Sequence, residues 1–304
     1  MSSESTHHWF VSGSRGQLGS ALLECLAAAG VSASGCDLDE LDVAEPAAVA
    51  ERLASLPRPL VWANAAAFTH VDRCEREPEE ARRGNAEAPG VLARACAAAG
   101  VGLVHVSTDY VFAGDASAPY TEEDPPAPRS EYGRSKLAGE KAVLAASPDF
   151  LVLRTSWVFG AGRNFVAAVL DQAELRRSGA ESGPLRVVDD QRGRPTYAVD
   201  LAGALYAAVE AGATGLLHFA NAGVASWWEL ARHALDEAGY ADVPIDRIKT
   251  ADLQTDAPRP AWSVLDTARA EALGIRPRPW REAVSDYLAS PASPLRRQGE
   301  GARG

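Results

Sequence analysis

The first half of the chain alternates short apolar runs with amphipathic, alanine-rich segments. Apolar runs bounded by turn residues predict buried strands, whereas apolar residues repeated every three to four positions predict helices. The strands are read at 9–12, 31–36, 60–66, 101–107 and 150–156, and the helices at 17–29, 46–56, 78–99 and 132–146. Such alternation is typical of parallel βαβ units with helices on both faces of a sheet. The pattern therefore predicts an α/β fold with a doubly wound parallel sheet (Rossmann type).

Beyond Trp157 the alternation weakens, and loops rich in arginine and proline appear. The segments read there are loops at 186–196 and 255–266, helices near 199–212 and 226–238, and one more sheet strand at 215–221. The predicted division is a Rossmann domain at 8–156 and about 197–221, with a smaller, discontinuous C-terminal lobe at about 157–196 and 222–288. Residues 1–7 and 289–304 are predicted to be disordered tails, the second because it is rich in Pro, Ser, Arg and Gly.

Composition and charge narrow the class of protein. Of the 304 residues, 46% are apolar and 23% are charged, an ordinary globular balance. The net charge of −11 disfavours nucleic acid, since an acidic surface repels a phosphate backbone. No apolar stretch approaches the roughly 20 residues of a membrane span, and the first residues lack the layout of a signal peptide. We expect a cytoplasmic protein with no membrane or nucleic-acid partner; the sequence leaves a homodimer open.

Cysteine and histidine are too scattered to predict a metal site. The four cysteines form no CxxC pair and the six histidines no HExxH motif, so reduced, buried thiols and a metal-free protein are expected. Asp189, Asp190 and Asp200 are read as solvated loop residues, because a hard cation needs several converging oxygens.

A glycine-rich segment, G-S-R-G-Q-L-G at 13–19, directly follows the first predicted strand and begins the first helix. Glycines let the backbone turn tightly and approach a pyrophosphate, and the N–H groups of a helix N-terminus favour a negative ligand. This strand–turn–helix context predicts a dinucleotide site. Its expected binding residues are Gly13, Arg15, Gly16, Gln17, Leu18 and Gly19.

Two residues give opposite indications about the adenosine end of the cofactor. Asp37 lies 24 residues after Gly13, near the end of the second strand, where a carboxylate binds ribose hydroxyls and favours NADH. Arg15 offers a guanidinium that can meet the 2′-phosphate of NADPH. We expect NADPH or NADH, with a slight preference for NADPH. The other residues expected around the cofactor are Asp42 and Val43, beside the adenine, and Ala65 and Ala66.

Tyr132 and Lys136 form a Tyr-x-x-x-Lys pair in a predicted helix. Positions i and i+4 share a helix face, so the phenol and the ammonium can point into one cleft. A nearby cation is expected to lower the pKa of the phenol, which makes it an acid–base group, and the ammonium can also hold the nicotinamide ribose. Thr108 follows a buried strand at the carboxyl edge of the sheet, where it can donate a hydrogen bond to a substrate carbonyl.

Longer motifs extend this pattern along nearly the whole chain. They are SGSRGQLG (12–19), NAAAFTHVDRCE (64–75), STDYVF (107–112), YGRSKLAGE (132–140), LRTSWVFG (153–160), DDQRGRPT (189–196) and RPAWSVLD (259–266). With these motifs the chain resembles the dTDP-4-dehydrorhamnose reductase family of extended short-chain dehydrogenases/reductases. The resemblance implies NAD(P)H-dependent reduction of the C4 ketone of a dTDP-4-keto-6-deoxyhexose, with the C-terminal lobe binding the substrate.

The resemblance also assigns roles to individual residues. It implies that Thr108, Tyr132 and Lys136 are catalytic and that Thr69 lines the cofactor pocket. It places Asp109, Tyr110 and Trp157 against the sugar. From their chemistry alone, three arginines are candidates for the diphosphate and equally for surface ion pairs: Arg163, Arg194 and Arg259.

Four positions depart from the pattern expected of the family, namely Phe68, His70, Cys74 and Ala113. None belongs to the catalytic trio, so they bear on which sugar is bound.

Two other functions stay open. A nucleotide-sugar 4,6-dehydratase needs an Asp-Glu pair beside the threonine, and Tyr110 stands where that Glu would be; a 4-epimerase would lack STDYVF and RPxxSxLD. A catalytically silent NAD(P)-binding regulatory subunit would have no use for an intact trio.

Overall fold

Short apolar runs form strands across the part of the chain that the computed structural model describes, residues 7–296. Strands between two helix layers are buried on both faces, which suits continuous apolar sequence. In chain order the strands are β1 (His8–Ser12), β2 (Ala33–Cys36), β3 (Leu60–Asn64), β4 (Gly102–Thr108), β5 (Leu151–Thr155), β6 (Val158–Phe159), β7 (Leu185–Val188), β8 (Arg192–Gly193), β9 (Thr196–Tyr197), β10 (Gly215–His218), β11 (Ala225–Ser226) and β12 (Ile245–Ile248).

Amphipathic segments form helices between these strands. They are α1 (Gln17–Ala28), α2 (Pro46–Ser55), α3 (Val71–Arg76), α4 (Pro78–Arg82), α5 (Ala88–Ala99), α6 (Glu131–Ala146), α7 (Phe165–Arg177), α8 (Ala198–Glu210), α9 (Trp227–Glu237), α10 (Ala268–Ala272) and α11 (Trp280–Ala289). Short turns of 3-10 helix occupy Asp109–Val111 and Thr250–Asp252.

The main sheet has six strands in the order β10-β5-β4-β3-β1-β2, and every pairing in it is parallel. The chain therefore places β2 on one side of β1 and then adds β3, β4, β5 and β10 in turn on the other side. The carboxyl ends of β1, β3, β4 and β5 meet at one edge, where Thr108 of β4 is in register with Thr155 of β5. Ligands of doubly wound sheets bind at this edge.

Both faces of the sheet are covered by buried apolar side chains. On one face, Trp9 and Leu153 pack with side chains of α1 and α8, such as Leu22 and Leu201. On the other face, Trp62 packs with side chains of α2, α5 and α6. Burial on this scale is the main favourable contribution to folding and holds the sheet edge in place. The arrangement is the doubly wound α/β fold that the sequence predicts.

A further group of buried side chains lies between α7, α9 and α11, and we call it the lobe cluster. Its larger members are Phe159, Val166, Leu170, Tyr197, Leu230, Leu235, Tyr240, Trp280 and Tyr287. Short strand pairs border it, including β7 with β12 and β8 with β11. Its residues come from segments before and after β10, as expected for a discontinuous lobe. The exact domain boundaries stay a prediction.

The long helix expected over 78–99 is interrupted. Residues Arg83–Glu87 form a π-helical turn between α4 and α5. Pro89 has no N–H to continue the ladder of helical hydrogen bonds, which favours an irregular turn just before it. The turn places the buried Asn85 side chain against α6, where its amide donates to Ser135 Oγ at 3.1 Å.

The boundary expected at residue 289 for the C-terminal tail is wrong. Ser293 is buried, and Ala292 and Leu295 pack against the lobe cluster. These apolar side chains give the segment enough buried contact to be ordered in spite of its composition. The remainder of both predicted tails, residues 1–6 and 297–304, lies outside the described residues. The four cysteines are unpaired, three of them buried and Cys25 half-buried.

Candidate active site

The glycine-rich turn joins β1 to α1 at the carboxyl edge of the sheet. Gly13 has φ +77°, a left-handed conformation that costs a side-chain-bearing residue energy. A Cβ at this position would also come within 2.8 Å of the Ala66 backbone nitrogen. Both features leave the backbone close to the loop after β3 and free of side chains, as a bound pyrophosphate requires.

Arg15 and Asp37, the two residues that gave opposite indications, are bonded to each other. Asp37 Oδ2 accepts from the Ser14 hydroxyl at 2.9 Å, from the Arg15 backbone N–H at 2.8 Å and from Arg15 Nε at 3.1 Å. The Arg15 guanidinium also donates to Asp39, and its side chain is 63% exposed. Asp37 Oδ2 is thus occupied by hydrogen bonds from the glycine-rich turn, and the Arg15 side chain lies at the exposed rim of the site.

Helix α6 positions Tyr132 and Lys136 on one face. It begins after Ser130, whose hydroxyl accepts from the Gly133 N–H at 3.1 Å and caps the helix. The buried Lys136 ammonium donates to the Val106 carbonyl at 2.6 Å, which ties α6 to β4. Burial lowers the pKa of Lys136 to about 8, and Glu140 opposes that shift.

The expected lowering of the Tyr132 pKa is wrong for this structure. Burial raises the pKa above its ordinary value, a hydrogen bond with Thr108 opposes the rise, and the nearby Asp109 carboxylate reinforces it. Burial outweighs the Thr108 hydrogen bond because a phenolate loses its hydration when water is excluded. Tyr132 therefore keeps its proton at neutral pH, the state that a proton donor needs.

Thr108 lies at the end of β4 with its hydroxyl engaged in local hydrogen bonds. Thr108 Oγ1 donates to Asp109 Oδ1 at 2.9 Å and accepts from the Tyr110 N–H at 3.2 Å. Asp109 is 3% exposed, and burial raises its pKa to about 6, against hydrogen bonds from Ser263 and Thr108 that lower it. The threonine, the carboxyl and the phenol of Tyr132 form one connected polar group.

One cavity of about 1050 Å³ contains nearly all of the residues predicted to act in binding or catalysis. Those that line it are Gly13, Arg15, Gly16, Gln17, Leu18, Asp37, Asp42, Val43, Ala65, Ala66, Thr69, Thr108, Asp109, Tyr110, Tyr132, Lys136, Trp157, Arg163 and Arg259. It runs from the glycine-rich turn past the trio to Trp157, so a dinucleotide and a second ligand can share it. Their individual roles stay predictions.

Two predicted residues are not brought to this cavity. Gly19 packs inside the turn, where a Cβ would lie 2.0 Å from the Gly13 carbonyl oxygen. Arg194 instead donates to Thr267 Oγ1 at 3.1 Å. Arg259 does line the cavity, but its guanidinium is paired with Asp72 at 2.6 Å. Of the three arginine candidates for the diphosphate, Arg163 is the one that lines the cavity without an ion pair in the part of the chain described.

Other residues that line the cavity were not expected there. Trp227 lines the cavity and stacks on Trp157, with ring centroids 3.6 Å apart. Arg83 lies beside Asp42 and pairs with it at 2.7 Å. Each of these two residues is distant in sequence from the residue it contacts, so no local spacing in the sequence could have indicated it.

Within residues 7–296, no helix combines the length and apolar character needed to cross a bilayer. Over the same residues, no group of three or more His, Cys, Asp and Glu side chains is arranged to hold a metal ion.

Comparison with known proteins places the chain in a family. A family model described as the RmlD substrate binding domain matches residues 8–292, almost the entire chain. The chain belongs to the RmlD substrate binding domain family. Membership confirms the resemblance inferred from the motifs.

Curated relatives of this RmlD-family chain carry names of nucleotide-sugar reductases. A dTDP-4-dehydrorhamnose reductase of Mycolicibacterium smegmatis is 42% identical over 285 residues, covering 92% of this chain and 84% of the relative. A probable dTDP-4,6-dihydroxy-2-methyloxan-3-one 4-ketoreductase of Streptomyces antibioticus is 42% identical over 300 residues, covering 95% and 98%.

Solved structures agree with this fold. A dTDP-4-dehydrorhamnose reductase from Clostridium acetobutylicum superimposes with a TM-score of 0.88 at 33% identity, covering 93% of this chain and 98% of its own. The Bacillus anthracis dTDP-4-dehydrorhamnose reductase, solved in complex with NADP, gives a TM-score of 0.85 at 31% identity, covering 93% and 99%. These matches confirm the predicted fold class.

Proposed function

We propose that this protein reduces the C4 ketone of a dTDP-4-keto-6-deoxyhexose with a nicotinamide cofactor. The observation that carries the proposal is the placement of Thr108, Tyr132 and Lys136 beside the glycine-rich turn in one cavity. Family membership and the reductase relatives favour the same reaction. Conversion of dTDP-4-dehydrorhamnose is the form of the reaction that the relatives' names support best.

The residues of the cavity fit a dinucleotide. The side-chain-free approach at Gly13 and the N-terminus of α1 suit a pyrophosphate, and Lys136 would hold the nicotinamide ribose. A bound nicotinamide supplies the hydride that the ketone carbon receives. The buried ammonium of Lys136 is held by the Val106 carbonyl, so its position is fixed before any ligand arrives.

Tyr132 is the proton donor in this proposal. Hydride addition to the ketone carbon leaves negative charge on the oxygen, and the neutral phenol gives its proton to that oxygen. Its raised pKa keeps the phenol protonated until the charge develops. Thr108 polarises the carbonyl by donating a hydrogen bond, for which its hydroxyl must turn from Asp109 Oδ1 toward the substrate.

The part of the cavity beyond the trio would hold the nucleotide sugar. Asp109 and Tyr110 follow Thr108 directly and suit sugar hydroxyls, and Trp157 follows β5 beside them. Arg163 suits the diphosphate because its guanidinium can donate two parallel hydrogen bonds. NADPH is favoured as cofactor, since Asp37 is engaged by the loop and Arg15 lies at the rim where a 2′-phosphate can meet it.

The test presents the purified protein with a panel of dTDP-4-keto-6-deoxyhexoses and follows the absorbance of NADPH and of NADH. Stoichiometric cofactor oxidation with at least one sugar is expected, with a higher kcat/KM for NADPH. A 4,6-dehydratase or 4-epimerase would turn over without net cofactor oxidation, and a regulatory subunit would bind cofactor without turnover. Either result would contradict the proposal.

Tyr132→Phe tests the proton donor. We expect kcat to fall by about 10² to 10⁴-fold, because the variant keeps the ring and loses the proton, while the Kd for NADPH stays within about threefold. Tyr110→Phe is the matched control, since Tyr110 lies next to Tyr132 with ring centroids 5.5 Å apart. Its kcat should fall by less than about tenfold. A Tyr132→Phe enzyme with most of its rate would show that another group donates the proton.

A further inference from the structure

Trp157 adopts an unusual backbone conformation at the sugar end of the cavity. Its φ of +49° is left-handed, which is uncommon for a residue with a large side chain and persists only where surrounding contacts enforce it. The residue follows β5 two positions after Thr155, the register partner of Thr108. Trp157 lines the cavity that also contains Thr108, Tyr132 and Lys136.

Trp227 supports that indole from a separate part of the chain. The two rings are nearly parallel, 6° apart, with centroids separated by 3.6 Å. Trp227 is itself fixed, because its Nε1–H donates to Gln191 Oε1 at 3.0 Å and the Phe165 ring lies 4.6 Å away. Gln191 is held in turn by a 3.0 Å bond to Thr250. A rigid support of this kind lowers the entropy that Trp157 would lose on binding a ligand.

Gly193 of β8 packs against the same indole. A Cβ there would lie 2.4 Å from Trp157 Cε2 and 2.6 Å from its Nε1, closer than atoms can pack. Any side chain at this position would therefore displace the Trp157 ring. Glycine at 193 and tryptophan at 227 thus constrain the indole independently.

We propose that Trp227 and Gly193 are positioning residues that hold the Trp157 indole in the geometry required to bind the hexose of a nucleotide-linked sugar. The inference rests on the proposed function and deepens it by naming what sets affinity for the sugar. Trp227 acts through Trp157, which contributes apolar ring surface and one N–H donor to the cavity lining.

The experiment measures the Kd of dTDP-rhamnose by calorimetry with oxidised cofactor present, and separately the Kd of NADPH. Trp227→Leu and Gly193→Ala are each expected to weaken dTDP-rhamnose binding by about tenfold or more and to leave NADPH binding within about twofold. Trp227→Phe keeps an aromatic support and should retain affinity within about threefold of the wild type. The matched control is Trp228→Leu, because Trp228 packs under Arg247 and does not line the cavity; it should leave both Kd values unchanged.

A double-mutant cycle separates positioning from direct contact. If Trp227 acts through Trp157, Trp157→Leu combined with Trp227→Leu should bind dTDP-rhamnose no more weakly than Trp157→Leu alone. Additive losses would overturn the inference, as would a normal Kd for Trp227→Leu or an equal loss for Trp228→Leu. Far-ultraviolet circular dichroism and the Tm of each variant identify unfolding. Gly193→Ala provides a second, independent way to displace the Trp157 ring.

The two proposals can fail separately. A wild-type protein that binds dTDP-rhamnose but reduces no 4-keto sugar would overturn the proposed function while the binding comparison still decides the role of Trp227. A wild-type reductase whose Trp227→Leu variant binds normally would overturn the positioning role alone. The positioning role would also be overturned if the wild-type protein had no affinity for dTDP-rhamnose.

Discussion

Asp109 is hydrogen-bonded to Thr108 and has a pKa that burial raises to about 6. The folded protein therefore binds more protons than the unfolded chain between about pH 4 and pH 6, so its stability falls as the pH rises through that window. Relative to Asp109→Asn, the wild type should lose about 2 kcal/mol in free energy of unfolding between pH 4 and pH 7. Urea unfolding of both proteins across this range measures the difference.

Asp149→Asn provides the control for that comparison, because Asp149 is an exposed carboxylate between α6 and β5. Its stability difference from the wild type should be flat across the same pH range. A flat difference for Asp109→Asn as well would show that Asp109 is not desolvated in the folded protein.

At the residue scale, most of the binding and catalytic residues predicted from sequence do line one cavity, but the direction of the Tyr132 pKa shift was not predicted. Tyr132 and Lys136 were predictable because a helix places i and i+4 on one face. The expected shift of the Tyr132 pKa was wrong, because desolvation depends on how closely β4 and the segment after it cover α6. That closeness is a property of tertiary packing, which no local spacing reports.

The β1–α1 turn offers a prediction at the scale of an element. Gly13 and Gly30 both have left-handed backbones, with φ +77° and +72°, but only Gly13 would bring a Cβ into contact with other atoms. Alanine at either position should cost about 1–2 kcal/mol in stability. Gly13→Ala should also raise the Kd for NADPH at least about tenfold, since the turn must shift away from Ala66.

Gly30→Ala is the matched variant, with the same backbone cost and an expected Kd for NADPH within about twofold of the wild type. Fluorescence titration and thermal unfolding give the two quantities for each protein. Equal cofactor affinity in the two variants would contradict a role of the Gly13 turn in binding.

Among the elements, those that alternate regularly were predicted with bounds close to the structure. Strand β4 differs from the prediction by one residue at each end, and helix α6 by one residue at its N-terminal end. Helix α7 was missed, because its apolar residues are spread around the helix and its burial comes from the lobe cluster. The π-helical turn at Arg83–Glu87 was missed as well, since helical periodicity alone does not register one extra residue in a turn.

At the scale of the whole molecule, a buried ion pair joins helix α6 to the sheet. Arg154 of β5 donates to both carboxylate oxygens of Glu140, at 2.8 and 2.7 Å, and both side chains are 2% exposed. Glu140→Gln should destabilise the protein by about 3–5 kcal/mol, because it leaves the buried guanidinium without its counter-charge. The midpoint of urea unfolding measures this loss.

Two further variants make that test specific. Glu140→Gln combined with Arg154→Met removes both charges and should recover part of the lost stability. Glu77→Gln breaks the exposed pair with Arg73 and should leave the unfolding midpoint unchanged, because solvent screens that pair. An unfolding midpoint for Glu140→Gln equal to that of the wild type would show that the buried pair adds nothing to stability.

Long-range partnerships were the least predictable part of the molecule. Arg259 was a candidate for the diphosphate and is paired with Asp72, which precedes it by 187 positions. Trp227 was not among the predicted site residues, yet it lines the cavity and stacks on Trp157. In both cases the residue type was informative, but the partner was decided by how distant segments fold together.

Tyr132 and Lys136 lie on one rigid helix, about 6 Å apart along its axis, whereas Trp157, Arg163 and Trp227 belong to segments that follow β5. Substitutions in those later segments therefore leave the spacing between the proposed proton donor and the proposed ribose anchor untouched. If the proposed roles hold, selection or a protein engineer can change the accepted sugar through residues beyond 156 while the catalytic pair on α6 stays unaltered.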